Sequence, residues 1–278
     1  MEFVVEADWL VQNLSSPNIR IIDCRFSLAN PDEGQKLYES DHIPGSLYFD
    51  LEKDLSGPVK EHGGRHPLPD VELFTEKLAQ AGISNSTTVI AYDNKEGAFA
   101  GRLWWLLNYM GHKNVYILNG GMQAWLEIGG PITAEIPAYE LSHFVPDVNR
   151  SMAATYEEVK AFVREPSDAT VLIDSREHKR FTGEIEPIDK KSGHIPGAIN
   201  KVWTDGLVNG RFKDAQQQKL RFTELDEKKQ YIVYCGSGIT AIPNYLAMKS
   251  AGFKNVSLYP GSFSDWISYD DNKVDVLK

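Results

Sequence analysis

Tyr231-Ile232-Val233-Tyr234-Cys235-Gly236-Ser237-Gly238-Ile239-Thr240-Ala241 decides how this chain is read. An apolar, β-branched run stops at a cysteine, small residues follow, and a helical pattern begins near Thr240. Such a run predicts a buried strand, which puts the thiol at a strand end and ahead of a helix. Backbone N–H groups and the positive end of a helix favour thiolate over thiol. A similar stretch lies 142 positions earlier, where Val89-Ile90-Ala91-Tyr92 leads to Asp93 in the place of Cys235. One half of the chain therefore offers a nucleophile and the other does not.

Working outward from these two stretches, the halves match in order. Asp23-Cys24-Arg25 pairs with Asp174-Ser175-Arg176, and His42-Ile43-Pro44-Gly45 with His194-Ile195-Pro196-Gly197. Gly111-His112-Lys113-Asn114-Val115 pairs with Gly252-Phe253-Lys254-Asn255-Val256, and Gly120-Gly121 before Trp125 with Pro260-Gly261 before Trp266. The offsets run 151, 152, 142, 141 and 141, so one net insertion or deletion separates the second pair from the third. Five ordered matches identify a tandem duplication.

Within each copy, strand-like runs (Val115-Tyr116-Ile117-Leu118, Val256-Ser257-Leu258-Tyr259) alternate with helical patterns at 102–110 and 242–249. Each helical pattern ends before a glycine, Gly111 or Gly252, that suits a helix C-terminus. This alternation predicts an α/β fold, each copy a mostly parallel sheet flanked by helices, with ligands beyond the carboxyl ends of the strands. The expected domains are 1–131 and 154–278. The stretch 132–153, which holds Pro137 and Pro146, reads as a connector packed against both copies.

The 278 residues carry a net charge of −10, which argues against nucleic acid as a general partner. The two cysteines, Cys24 and Cys235, are too few for a secreted disulfide framework and predict reduced thiols in a cytoplasmic protein. The first residues do not read as a signal peptide, and no apolar run approaches membrane-spanning length.

The duplication acts as an internal control. Features present in both copies serve the fold: His42 and His194, Trp125 and Trp266, Asp23 and Asp174. Features present in one copy are site candidates. Cys235 is one, and Gly236 and Gly238 allow backbone amides close to an anion, with Ser237 and Thr240 adding hydroxyls. Arg180 is another, since the matching part of the first copy offers Leu37; it is either a solvated arginine or a fork for a carboxylate or sulfonate. Cys24, opposite Ser175, reads as a passive thiol. The first copy has its own unmatched polar stretch, 50–69. It is either a solvated loop or the source of a histidine–acid proton relay.

These motifs, with Gly101-Arg102-Leu103-Trp104-Trp105, resemble a two-domain rhodanese-type sulfurtransferase over nearly the whole chain. The resemblance implies an inactive N-terminal domain, here with Asp93 in place of cysteine, and a catalytic C-terminal domain with Cys235 as nucleophile. In that family a Cys-Gly-Ser-Gly-Val-Thr loop goes with 3-mercaptopyruvate and a Cys-Arg-Lys-Gly-Val-Thr loop with thiosulfate. Cys235-Gly236-Ser237-Gly238-Ile239-Thr240 is similar to the former, and it lacks the loop cations that would favour a dianion. The resemblance also implies a relay of Ser237, His66 and an acid near Glu52. The acid–histidine spacing is longer here, so Asp50 and Asp54 are alternatives. A second substrate arginine of the family has no match in Glu184-Ile185-Glu186-Pro187-Ile188-Asp189-Lys190-Lys191, which leaves Lys190 or Lys191 for that place.

The implied chemistry is transfer of sulfane sulfur from a small donor, through a Cys235 persulfide, to cyanide or to a thiol such as thioredoxin's. It implies no metal or organic cofactor. Two rival readings are a cysteine phosphatase and a non-enzymatic sulfur carrier. The phosphatase would need an arginine closing the loop where Ala241 stands.

Overall fold

The computed structural model describes residues 2–277. They form two compact units. The first comprises the chain up to Gly57, Pro69–Asn149 and Asn209–Phe212; the second comprises Pro58–Leu68, Arg150–Val208 and the chain from Lys213 onward. This differs from the sequence reading in three ways, the first being that Asn209–Phe212, expected within the second domain, belongs to the first unit. Pro58–Leu68, expected within the first domain, belongs to the second unit. The stretch 132–149 belongs to the first: Tyr139 Oη donates to Gly45 O at 2.7 Å, Asn85 hydrogen-bonds both main-chain groups of Val145, and Phe144 is buried.

In the first unit a five-stranded sheet runs Val4–Val5, Val115–Leu118, Thr88–Tyr92, Ile19–Asp23, Ser46–Tyr48, every pair parallel. In the second the order is Val256–Leu258, Gln230–Tyr234, Thr170–Asp174, Ile199–Asn200, again all parallel. Gln230–Tyr234 has neighbours on both edges and is buried from Tyr231 to Tyr234. This is why its sequence reads as a continuous apolar run rather than an alternation. The two strands that lead to Asp93 and Cys235 are each followed by a largely buried helix, Ala98–Tyr109 and Ala241–Ser250.

The shared motifs are structural. Asp23 and Asp174 each accept the backbone N–H two residues on, at 2.9 Å, and pair with the buried Arg25 and Arg176. Losing one partner of such a buried pair leaves a charge uncompensated, at a cost of about 3–5 kcal/mol. His42 Nδ1 lies 2.6 Å from Tyr38 O and His194 Nδ1 2.7 Å from Phe181 O, and each imidazole stacks on the ring of that same residue. Each histidine also exchanges backbone hydrogen bonds with a returning segment, His42 with Thr133 and His194 with Asp275. Trp125 and Trp266 are fully buried, and their indole N–H groups donate to Pro131 O and Lys273 O, both at 2.8 Å. Among the described residues, no helix is long and apolar enough to cross a membrane.

Candidate active site

The Cys235 loop is fixed by the segment that follows the last strand. Phe263 N–H donates to Cys235 O at 3.0 Å, and Ser264 N–H to Gly236 O at 2.9 Å. The first unit repeats this frame, with Met122 N–H on Asp93 O and Gln123 N–H on Asn94 O. Gly238 has φ +77°, and a Cβ there would lie 2.2 Å from Pro260 O, so only glycine fits. The second loop reaches this residue three positions after Cys235, whereas Gly97, with φ +74°, comes four after Asp93.

Cys235 is a free thiol, 1% exposed. Its N–H donates to Ser262 Oγ at 3.1 Å, and Ser262 Oγ donates to Tyr259 O. Ser262 has φ +55°, a left-handed conformation that costs a non-glycine residue on the order of 1 kcal/mol. The shared frame and the spacing to Trp125 and Trp266 set Ser262 against Gly121, φ +57°, one residue on from the pairing of Gly121 with Gly261. Ile239 is buried, and Thr240 precedes the helix without capping it through its side chain.

His66 and Ser237 come together within the second unit, with Nδ1 and Oγ 2.9 Å apart and both residues buried. The 58–68 segment is pinned there by Gly63 N–H on Asp265 Oδ1, Arg65 N–H on Ser264 Oγ, and the His62 ring stacked on Tyr269. This part of the unmatched stretch is therefore not a solvated loop. The acid expected near Glu52 is placed differently. Glu52 is exposed in the first unit, and its carboxylate makes no hydrogen bond or ion pair among the described residues. Asp50 caps a turn through the N–H groups of Glu52 and Lys53, and Asp54 pairs with Lys77. The carboxylate nearest Gly236 is that of Asp189, with Oδ2 3.6 Å from the place of a Cβ; Glu186 faces Arg180, and Asp265 accepts the Gly63 N–H.

Arg180, on the short helix His178–Thr182, is buried rather than solvated. Its Nε and Nη2 donate to Glu186 at 3.1 and 2.8 Å, and Nη2 also reaches Asp189 Oδ2 at 2.9 Å. Asp189 Oδ1 in turn pairs with Arg65. Both guanidiniums crowd Gly236: a Cβ there would lie 2.9 Å from Arg65 Nη2 and 3.5 Å from Arg180 Nη2. Burial works against the Glu186 charge, but Arg180 and the N–H groups of Asp189 and Ile188 outweigh it and lower its pKa. For Asp189 burial prevails over Arg65 and Arg180, and its pKa is raised. Lys190 and Lys191 are not among the three nearest neighbours of Gly236; they line a cavity with Arg65 and Asp189.

Cys24 is buried against Ile22 O, and burial with the charges of Asp23, Asp93 and Asp54 pushes its thiol well up, as suits a passive cysteine. Asp93 is held by four amides: Lys95 and Gly97 donate to Oδ1 at 3.1 and 3.0 Å, Phe99 and Ala100 to Oδ2 at 3.0 and 3.2 Å. Burial still raises its pKa against these bonds.

Sequence reasoning passed over Arg65, Glu186, Asp189 and Ser262. Only Ser262 carried a usable signal, a serine where the other copy has glycine. The others meet through contacts that leave no local pattern.

Known proteins of similar sequence and fold give the family. The rhodanese-like domain model matches residues 6–128 and again 155–269. A probable 3-mercaptopyruvate sulfurtransferase of Pseudomonas aeruginosa is 40% identical over 271 residues, covering 95% of each chain. The thiosulfate sulfurtransferase of Rattus norvegicus is 32% identical and covers 95% of this chain and 91% of its own. The crystal structure of SseA from Escherichia coli, described among 3-mercaptopyruvate sulfotransferases, superposes with a TM-score of 0.83 at 31% identity, over 94% of this chain and 99% of that one. The chain belongs to the rhodanese family of sulfurtransferases, with two of the family's domains in tandem.

Proposed function

We propose that the protein transfers the sulfur of 3-mercaptopyruvate, carrying it as a persulfide on Cys235. The observation that carries this reading is the backbone frame shared by the two loops, which fixes the carbonyls of Asp93 and Asn94 in one unit and those of Cys235 and Gly236 in the other. An aspartate oxygen lies two bonds from Cβ, as does the outer sulfur of a cysteine persulfide. The four amides on Asp93 thus mark the kind of anion such a strand–loop–helix turn accommodates.

In the first step the Cys235 thiolate attacks the donor sulfur. The S–S bond forms, the C–S bond breaks, and its electron pair goes to carbon. The proton released on ionising Cys235 ends on that carbon, and pyruvate leaves. Ser237 and His66, 2.9 Å apart, are the pair that moves this proton. In the second step an acceptor thiolate or cyanide attacks the outer sulfur, the S–S bond breaks, and the Cys235 thiolate returns. The acceptor is a small anion or a protein thiol such as thioredoxin's. The reading places this chemistry in the cytoplasm, where both thiols stay reduced.

Thiosulfate is the less favoured donor. No cation stands in the loop, and the two guanidiniums beside it already face Glu186 and Asp189, which suits a single carboxylate better than a dianion. The test is kcat/KM for the two donors side by side, with mass spectrometry of the intact protein after donor alone. A preference for 3-mercaptopyruvate and a gain of one sulfur atom on Cys235 are expected. A preference for thiosulfate overturns the donor, and turnover without an adduct overturns the intermediate. Arg180→Ala raises the donor KM; an unchanged KM removes Arg180 from binding.

A further inference from the structure

Arg65 was not marked by its sequence. It lies in the stretch without a counterpart in the other copy, next to His66. Three observations single it out. First, Arg65 Nη2 is the nearest atom to the place a Cβ would take on Gly236, at 2.9 Å, nearer than Arg180 Nη2. Gly236 follows the nucleophile directly. Second, Asp189 is buried and shared, one oxygen on Arg65 and the other on Arg180, so the two guanidiniums are held by one carboxylate. Third, neither fork is used up. Arg65 Nε and Nη2, and Arg180 Nη1, have no partner among the described residues. Unused N–H groups of an arginine next to a nucleophile are the donors that a carboxylate takes in charge-assisted bonds.

Arg65 and Asp189 also line a cavity of about 570 Å³, with Lys60, Lys190 and Lys191 on its walls against Glu61 and Asp270. Neither Cys235 nor Arg180 lines it, so the cavity is an anion-accepting approach to Arg65 rather than the place of sulfur transfer. Arg65 is about one-third exposed, whereas Arg180 and Asp189 are buried, so Arg65 is the member of the trio that an entering anion meets first.

We infer that Arg65 is a donor-binding residue, gripping the carboxylate of the donor together with Arg180 while Asp189 holds the two guanidiniums in register. This rests on the 3-mercaptopyruvate reading and deepens it. The grip acts on the carboxylate, not on the sulfur, so it adds to donor affinity rather than to the rate of C–S cleavage.

The experiment compares wild type, Arg65→Ala and Arg65→Lys with two donors: 3-mercaptopyruvate, and mercaptoacetone, which has a methyl group in place of the carboxylate. With 3-mercaptopyruvate as donor, Arg65→Ala is expected to raise KM roughly tenfold to a hundredfold and to change kcat less than about twofold. With mercaptoacetone as donor, kcat/KM stays as in wild type. Arg65→Lys falls between, since it keeps the charge and loses the fork. Equal losses with both donors would mean that Arg65 only props up the 58–68 segment, and no loss with either would mean that it binds nothing; each overturns the inference. Failure of the donor reading shows separately, in the wild type, as turnover of thiosulfate but not of 3-mercaptopyruvate, and the inference then falls with it.

Discussion

The Asp93 and Cys235 loops leave matching strands, enter matching helices, and are tied down by the same pair of backbone hydrogen bonds. They differ in what completes them. Asp93 satisfies its own cradle with a built-in carboxylate, and four amides are used up on it. Around Cys235 the loop is one residue shorter to its left-handed glycine, Ser262 replaces a glycine and accepts the Cys235 N–H, and Arg65, His66 and Arg180 are brought to the loop. The first unit shows what the fold does with a built-in carboxyl group. The second leaves that place to be filled by a transient anion.

The largest effect is expected from Cys235→Ser, which should remove persulfide formation and turnover altogether; residual transfer in that variant would reject the mechanism. The reciprocal change, Asp93→Cys in the Cys235→Ser background, should not restore activity, because the first unit has Lys95 and Glu96 in its loop rather than Ser237 and Gly238. An adduct on the new cysteine would show that the frame alone suffices. His66→Gln should lower kcat by about 10²-fold or more, the range of a lost proton-transfer group. An unchanged kcat would reduce the His66–Ser237 contact to a structural one.

On the stability side, Asp93→Ala should destabilise the first unit by roughly 2–3 kcal/mol, since it leaves buried amides without an acceptor. Denaturant titration would measure it, and a neutral result would show that water replaces the carboxylate. The smallest effect concerns His112, whose counterpart is Phe253. Burial lowers the pKa of His112 from the ordinary 6.5, outweighing the backbone groups of Asn114 and Thr87 that favour the charged form. The unfolded chain therefore takes up a proton before the folded one does. The stability is full above pH 6.5 and is lost as the pH falls below that value toward the folded pKa. His112→Phe should flatten the fall in Tm between neutral and mildly acidic pH; an identical slope in both proteins would assign the acid sensitivity elsewhere.

The duplication, the strand–loop–helix turn at Cys235 and the structural standing of the shared histidines, tryptophans and aspartates were legible in the amino-acid order. Each depends on a local period or a short motif that recurs in the other copy, and local periodicity is what a linear sequence records. Tertiary structure alone decided that Pro58–Leu68 belongs with the second unit, that Glu52 stays exposed in the first, and that Arg65 and Arg180 share Asp189. His66 meets Ser237 across 171 residues and Arg65 meets Asp189 across 124. Over such separations the partner of a charged or polar side chain is set by where packing delivers the backbone, and nothing in the neighbouring residues encodes it.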